Sequence, residues 1–223
     1  MKNKILIIAP HPDDEILGCG GLVSKYSGEG RKVYVLVVTR GTPKLYSEER
    51  IVNVRREALQ AHTLLGVTET VFLDFHAPEL DITSQAEIAG SISSIIQRFA
   101  VDTIFIPHRG DIHSDHRVVY NASIVAGRPV AGSTVKNIYA YETLSETEWA
   151  APFGDDAFIP THFVDVTGSF ENKLKAMACF KSQLKPFPNS RSLEAIEALA
   201  KFRGATVGVK RAEAFMTVRT VER

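Results

Sequence analysis

In the first half of the chain, short apolar runs alternate with segments in which apolar residues recur at helical spacing. Such apolar runs are typical of buried strands, and such periodic segments are typical of helices that cover a sheet. The predicted strands span residues 5–9, 32–39, 70–73 and 102–107. The predicted helices span residues 15–26, 48–65 and 84–99. This alternation favours βαβ units on a parallel sheet with right-handed crossovers.

The pattern changes in the second half of the chain, from about residue 128. Strands are predicted at residues 137–142 and 162–166, and helices at residues 170–180 and 193–202. The loops between them either shape a substrate pocket or simply connect surface elements. The expected fold class is α/β: a Rossmann-like three-layer α/β/α domain with a mostly parallel sheet and a C-terminal edge extension.

Composition narrows the class of protein. With 223 residues and 44% hydrophobic content, the chain is long enough to bury one sizeable core as a single domain. Basic and acidic residues both number 26, and the zero net charge argues against a nucleic-acid partner or attraction to a membrane. No apolar run reaches membrane-spanning length, so no membrane insertion is expected. Cys19 and Cys179 form no pair motif, which favours reduced thiols and a cytoplasmic location.

The first predicted strand is followed directly by His11-Pro12-Asp13-Asp14-Glu15. Burying an imidazole and carboxylates is costly unless they are paired or bound to a cation. Fold formation needs no such cluster at the carboxyl end of a strand, which is where open α/β sheets place their ligands. The first interpretation of this run is therefore a metal site.

A second polar run, residues 108–117, follows the fourth predicted strand and contains His108, His113 and His116. In a doubly wound sheet the first and fourth strands can be neighbours at the crevice where the strand order reverses. The two polar runs are therefore expected to meet in the folded protein.

A catalytic zinc takes three nitrogen or oxygen ligands from the protein and keeps a fourth position for water. His11 and Asp14 are three residues apart in a turn and can reach one point. The third ligand is expected from the second run, where His113 and His116 are the two alternatives.

The side chain of Asp13 diverges from that of Asp14, so Asp13 is free to act as a general base. Zinc lowers the pKa of the water that it binds to about 7, and an ordinary carboxylate can then complete its activation. The histidine that does not bind metal would stabilise an oxyanion or protonate a leaving amine. Asp115 could hold that imidazole in its tautomer.

These residues give the chain a resemblance to the PIG-L/LmbE-like zinc-dependent N-deacetylases, which remove acetyl groups from N-acetylglucosamine-type sugars and their conjugates. The resemblance rests on two specific motifs, Ala-Pro-His-Pro-Asp-Asp-Glu at 9–15 and His-Ser-Asp-His at 113–116. Weaker matching pieces lie at residues 18–21, 65–67, 203–204 and 212–215.

Carried over by position, the resemblance implies a role for six residues. The implied ligands of zinc, or of another divalent transition metal, are His11, Asp14 and His116. The implied catalytic residues are Asp13 as the base, His113 as oxyanion stabiliser or acid, and Asp115 as the orienting partner of His113. The resemblance thereby selects one of the two histidines that the spacing leaves open.

The implied protein is a single deacetylase domain, residues 1–223, that acts on a small amino-sugar conjugate. Residues 1–127 would form the Rossmann-like core with the metal site, and residues 128–223 the substrate-shaping loops, strands and C-terminal helices. Relatives often form trimers or hexamers, so a homo-oligomer of that kind is also implied. Two alternatives stay open: an amidase for a non-sugar N-acyl substrate, and a non-catalytic sugar-binding protein that keeps the metal site.

Basic residues near the two motifs are candidates for substrate binding: Arg55, Arg56, His108 and Arg109. The family often carries an arginine three residues before the glutamate of the second helix, where this chain has Val54, with Arg55 and Arg56 adjacent. His108 and Arg109 either line the pocket or lie in a solvated loop.

Two further polar residues receive structural interpretations. Electrostatics at a helix N-terminus is a sufficient account of Glu15, and His62 is expected to be an ordinary surface or partly buried residue. Other chemistries lack their motifs, because no G-x-G-x-x-G directly follows the first strand and no G-x-S-x-G elbow or P-loop occurs.

Overall fold

A seven-stranded sheet forms the centre of the structure, a computed structural model that describes residues 4–222. The strands are β1 (Lys4–Ala9), β2 (Lys32–Gly41), β3 (Glu69–Ala77), β4 (Thr103–Pro107), β5 (Asn137–Tyr141), β6 (His162–Asp165) and β7 (Ala212–Arg219). Their order across the sheet is β3-β2-β1-β4-β5-β7-β6, and the pairs are parallel except those that β7 makes with β5 and β6. The strand order reverses next to β1, so β1 and β4 are neighbours, with Ile5 opposite Thr103 and Ile7 opposite Phe105.

Helices cover both faces of this sheet. They are α1 (Asp14–Gly28), α2 (Glu48–Leu65), α3 (Gln85–Phe99), α4 (Ser114–Ala126), α5 (Phe170–Met177) and α6 (Leu193–Val207). Alternate residues of β1 point to opposite faces: Ile5 and Ile7 pack with residues of α1, α2, α5 and α6, and Leu6 and Ile8 pack with residues of α3 and α4. Because β1 is buried on both faces, its sequence is a continuous apolar run. No helix within residues 4–222 is long and apolar enough to cross a membrane.

The predicted α/β fold class is confirmed, and α2 has the predicted bounds. This helix ends at Gly66, whose φ of 76° lies in the left-handed region that suits a glycine cap. The sequence pattern does not predict α4 or β7, and β3 is longer than the pattern indicates. Antiparallel β7, between β5 and β6, builds the C-terminal extension of the sheet.

A buried ion pair between α5 and β7 is hydrogen-bonded to the backbone of α1. Lys173 Nζ lies 2.6 Å from Glu213 Oε1 and donates a hydrogen bond to the carbonyl of Leu17. The Glu213 carboxylate also accepts from the backbone amides of Gly21 and Leu22, at 2.8 and 2.7 Å. Buried charges are tolerated when partners satisfy them in this way, so the C-terminal strand holds the helix that begins at the first polar run.

Candidate metal centre

The two polar runs meet because β1 and β4 are adjacent and parallel, which brings their carboxyl ends to one edge of the sheet. His11 follows β1, and Asp14 is the first residue of α1. His116 lies in the first turn of α4, directly after the run that follows β4. The side chains of Asp14 and His116 are almost completely buried.

Three ligand atoms from these residues converge. His11 Nδ1 lies 3.2 Å from Asp14 Oδ2, and His116 Nε2 lies 3.2 Å from the same oxygen. Bonds of 2.0–2.1 Å to a tetrahedral zinc place ligand atoms about 3.3 Å apart. The spacing of these atoms therefore fits a single ion of that size.

Two buried atoms of this group lack hydrogen-bond partners, namely Asp14 Oδ1 and His116 Nε2. The contact between His116 Nε2 and Asp14 is close but is not a hydrogen bond. Because nearly all buried polar atoms in proteins are satisfied, unpaired buried atoms on two of the three residues fit a group that would bind a cation. Two imidazoles and one carboxylate suit zinc and other divalent transition metals.

A second layer of carboxylates orients both imidazoles. His11 Nε2 lies 3.1 Å from Asp115 Oδ2, and His116 Nδ1 lies 2.7 Å from Asp111 Oδ2. The other oxygen of Asp111 accepts a 2.6 Å hydrogen bond from the hydroxyl of Thr147. A carboxylate on the outer nitrogen fixes the tautomer of each ring and leaves the lone pair of the inner nitrogen for a metal.

Asp115 has a different partner from the one that the sequence predicts. Its carboxylate bonds to His11 and accepts from the amide of Leu80, whereas only its backbone amide contacts His113, donating to Nδ1 at 3.1 Å. Asp115 therefore orients a candidate metal ligand rather than the imidazole of His113. Asp111, which also lies in the second polar run, orients the other candidate ligand, His116.

The metal-free cluster is strongly polarised. Burial opposes the protonation of His11, but hydrogen bonds to Asp115 and Asp14 outweigh it and raise the pKa to about 9. Burial is likewise overcome at His116, where the charge of Asp14 holds the pKa well above its usual value. The same pairing holds the pKa of Asp14 well below its usual range, against the effect of burial. The site thus favours positive charge, and a divalent cation would displace the imidazole protons.

Asp13 presents its carboxylate to the cavity rather than to the helix that it precedes. It occupies the N-cap position of α1 at φ 116° and ψ −28°, and its side chain caps no backbone amide. A left-handed conformation at a residue other than glycine costs about 1–3 kcal/mol and is often retained for function. Burial raises the pKa of Asp13 to about 8, although the charge of Arg191, 3.5 Å away, opposes this shift.

His113 stands beside the candidate metal ligands, at the N-cap of α4. Its ring centroid lies 4.6 Å from that of His11. Burial, together with the charge of His11, lowers the pKa of His113 to about 4. Because Nδ1 accepts from the amide of Asp115, the neutral ring carries its proton on Nε2 and can donate a hydrogen bond there.

A cavity of about 290 Å³ lies next to the candidate metal centre. One part of its wall contains His11, Asp13 and His113. The remaining wall is formed by residues from several loops, from the ends of β2 and β3, and from α2: Pro12, Thr39, Gly41, Tyr46, Arg50, Ile51, Val54, Ala77, Pro78, Glu146, Gln183 and Arg191. Reactive groups and apolar surface thus share one pocket, as in small-molecule sites.

The four predicted substrate-binding residues do not line this cavity. Arg55 donates to the carbonyl of Leu73, and Arg56 donates to the side chain of Asn53. His108 and Arg109 both contact Asp156 in a loop, His108 through the backbone carbonyl and Arg109 through the carboxylate. The arginines at the cavity are Arg50 and Arg191.

Arg191 is the main residue of the site that no pattern in the sequence indicates. Hydrogen bonds to Ser145 Oγ at 2.7 Å and Gln183 Oε1 at 3.2 Å hold its guanidinium between Asp13 and Glu146. Burial raises the pKa of Glu146 to about 7. No motif surrounds Arg191, so only the fold brings it to the carboxylate of Asp13.

The fold and the site together define an α/β protein with a candidate centre of two histidines and one carboxylate at the carboxyl edge of its sheet. Residues 6–126, more than half of the chain, match the family described as PIG-L: GlcNAc-PI de-N-acetylase. The chain belongs to the PIG-L family, which confirms the resemblance seen in the two motifs.

Individual relatives agree with this membership. The chain is 33% identical over 189 residues to the uncharacterized deacetylase YaiS of Escherichia coli, covering 81% of this chain and 92% of that protein. The structure is similar to N,N'-diacetylchitobiose deacetylase from Pyrococcus horikoshii, with a TM-score of 0.79, 25% identity, and coverage of 97% and 84% of the two chains. A similar fold occurs in the 4-carboxy-2-hydroxymuconate hydratase GalB from a pseudomonad, with a TM-score of 0.78, 17% identity, and coverage of 100% and 99%. The fold alone therefore does not determine the reaction.

Proposed function

We propose that this protein is a zinc-dependent N-deacetylase that hydrolyses the acetamide of an N-acetylglucosamine-type sugar conjugate. The observation that carries the proposal is the convergence of His11 Nδ1, Asp14 Oδ2 and His116 Nε2. The cavity beside these atoms also contains the carboxylate of Asp13. Family membership and the sugar deacetylase among the similar structures support both the reaction and the substrate class.

His11, Asp14 and His116 would hold the metal, with Asp115 and Asp111 orienting the two imidazoles. When bound, zinc polarises a carbonyl group and lowers the pKa of water. The remaining groups of the cavity then have to accept a proton, stabilise negative charge and return a proton to the amine.

Asp13 is the proposed general base. Asp13 lies in the cavity wall, and its Oδ2 has no hydrogen-bond partner, so the carboxylate can accept a proton from the water that attacks the amide carbonyl. Arg191 favours the ionised form of this carboxylate, as does any cation on the neighbouring ligands. The carboxylic acid of Asp13 can later give the proton to the departing nitrogen, which releases acetate and a free amine.

His113 is the proposed oxyanion donor. Its Nε2–H can donate to the amide oxygen as negative charge develops there, because Nδ1 is occupied by the amide of Asp115. Its low pKa keeps the imidazole neutral, so it contributes a hydrogen bond rather than a fixed charge.

The proposal is tested by measuring metal content and acetate release together. The protein is stripped with a chelator, reloaded with zinc, and assayed for acetate and free amine. The panel contains free N-acetylglucosamine, its β-linked disaccharide, N-acetylglucosaminyl conjugates with neutral and charged aglycones, and N-acetyl amines without a sugar. We expect equal amounts of acetate and amine from at least one sugar substrate, only after zinc is restored.

Other outcomes would replace the proposal. Release from the N-acetyl amines alone would make the protein a non-sugar amidase. Release from none of the panel, with zinc bound, would favour a sugar-binding protein that has kept its metal site.

A further inference from the structure

The backbone of Asp13 needs a partner to keep its unusual conformation. At φ 116° the residue lies in the left-handed region, and its carboxylate is turned to the cavity instead of to the first amides of α1. A more relaxed backbone would let the side chain cap the helix, as N-cap aspartates commonly do. That change would take the carboxylate away from the proposed reaction site.

Glu15 supplies this partner. It is fully buried, and its Oε2 accepts a 3.1 Å hydrogen bond from the backbone amide of Asp13. A glutamate also reaches back to the N-cap amide in a capping box, although it stands there one position later in the helix than Glu15 does. Glu15 thus fixes the peptide group that determines where the side chain of Asp13 points.

His62 in turn fixes Glu15. Its Nε2 lies 2.8 Å from Glu15 Oε1, and its Nδ1 lies 2.9 Å from Thr70 Oγ1 on β3. The imidazole is 2% exposed, and these two contacts satisfy both of its ring nitrogens within the protein. A continuous series of hydrogen bonds therefore runs from β3 through α2 to the backbone of Asp13, without passing through a proposed metal ligand.

We propose that Glu15 and His62 are positioning residues that hold Asp13 in its left-handed conformation and keep its carboxylate over the cavity. This inference rests on the proposed role of Asp13 as the base. Neither residue touches the substrate cavity, so both act through the peptide group of Asp13.

His62 is the better residue to change, because Glu15 directly follows the proposed ligand Asp14 in the chain. Replacing His62 with leucine leaves one oxygen of a buried carboxylate without a donor, which is unfavourable. Glu15 would then turn toward other donors and release the Asp13 amide. Replacing His62 with glutamine keeps an N–H donor for Glu15 and should preserve the contact.

The experiment compares wild type, H62L and H62Q with the control L65A. Leu65 lies on the same helix, is 2% exposed and packs in the same core as residues of α1, so L65A disturbs the core without removing the hydrogen bonds. We expect kcat of H62L to fall about 10- to 100-fold, the effect of a misplacement of about 1 Å. KM should change by less than about twofold and zinc content should be unchanged, because binding and metal groups are not involved. H62Q should recover kcat to within about threefold of wild type.

Crystal structures of the metal-free variants give a readout that does not need activity. Asp13 should keep its positive φ in wild type, H62Q and L65A, and should leave the left-handed region in H62L. The inference is overturned if Asp13 keeps its conformation in H62L with full kcat, or if H62L loses activity only as L65A does. The two claims can fail separately. If the wild-type protein binds zinc but deacetylates none of the panel, while Asp13 still leaves the left-handed region in H62L, only the proposed function is refuted.

Discussion

Removing the Asp111 carboxylate should weaken metal binding without touching a ligand. Asp111 is 1% exposed, and its Oδ2 lies 2.7 Å from His116 Nδ1. A carboxylate in this position would make the inner nitrogen of His116 a stronger donor to a bound metal and would keep the ring in the orientation that binding needs. Its other oxygen is held by the hydroxyl of Thr147, so the pair is rigid.

The magnitude follows from what each substitution leaves behind. Asparagine can still accept from His116 Nδ1 and donate to Thr147, so D111N loses the charge but keeps the geometry. Leucine loses both. Changes of outer partners weaken metal binding about 10- to 100-fold, so we expect about tenfold for D111N and about 100-fold for D111L, or about 1.4 and 2.7 kcal/mol.

The assay is competition for zinc against a chromophoric chelator, with circular dichroism to verify that each variant is folded. D156N is the matched control, because Asp156 carries the same charge, is half exposed and pairs with Arg109 rather than with a ligand. Its zinc Kd should stay within about twofold of wild type, as expected for an exposed pair. A folded D111L that binds zinc as tightly as wild type would refute the assignment of His116 as a ligand oriented by Asp111.

Three further predictions concern charge. Because the pKa of the metal-free His11 is about 9 and that of His116 is also held well above its usual value, zinc has to displace imidazole protons, and its affinity should rise with pH to at least about 9. Calorimetry in buffers of different ionisation enthalpy measures the released protons, and pH-independent binding would contradict this prediction. Arg191 lowers the pKa of Asp13, so R191M should raise the pKa of Asp13 and move the acidic limb of the pH profile of kcat/KM to higher pH. An acidic limb that does not move would exclude the pairing of Arg191 with Asp13. K173M should reduce the free energy of unfolding, measured in urea, by about 3 kcal/mol, because it leaves Glu213 buried without its cation. A loss under about 1 kcal/mol would mean that backbone amides alone satisfy that carboxylate.

The position of the candidate metal site could be predicted from the sequence because its signals are local. His11 and Asp14 lie one turn apart after a strand that is apolar on both faces, and the second polar run follows another such strand. Parallel strands place their carboxyl ends at one edge of a sheet, so the meeting of the two runs follows from topology. Choosing His116 over His113 as the ligand, however, depended on the family resemblance.

Contacts between distant parts of the chain could not be read in this way. Glu15 has a local explanation in helix electrostatics, but its partner His62 is 47 residues away and comes from another helix. Arg191 reaches Asp13 from a loop of the second half that carries no recognisable pattern. Asp115 follows His113 closely in sequence, yet the turn into α4 directs its carboxylate to His11. Side-chain direction at such turns depends on the backbone, which spacing alone does not determine.

The central claim is that Asp13 activates water beside a metal that other residues hold. Acetate release and zinc content of D13A, measured against wild type on the best substrate of the panel, test it most directly. We predict that turnover falls about 10²- to 10⁴-fold, the contribution typical of a general base, while about one zinc per chain remains bound. A D13A variant that turns over at the wild-type rate, or that fails to hold zinc, would contradict this division of roles.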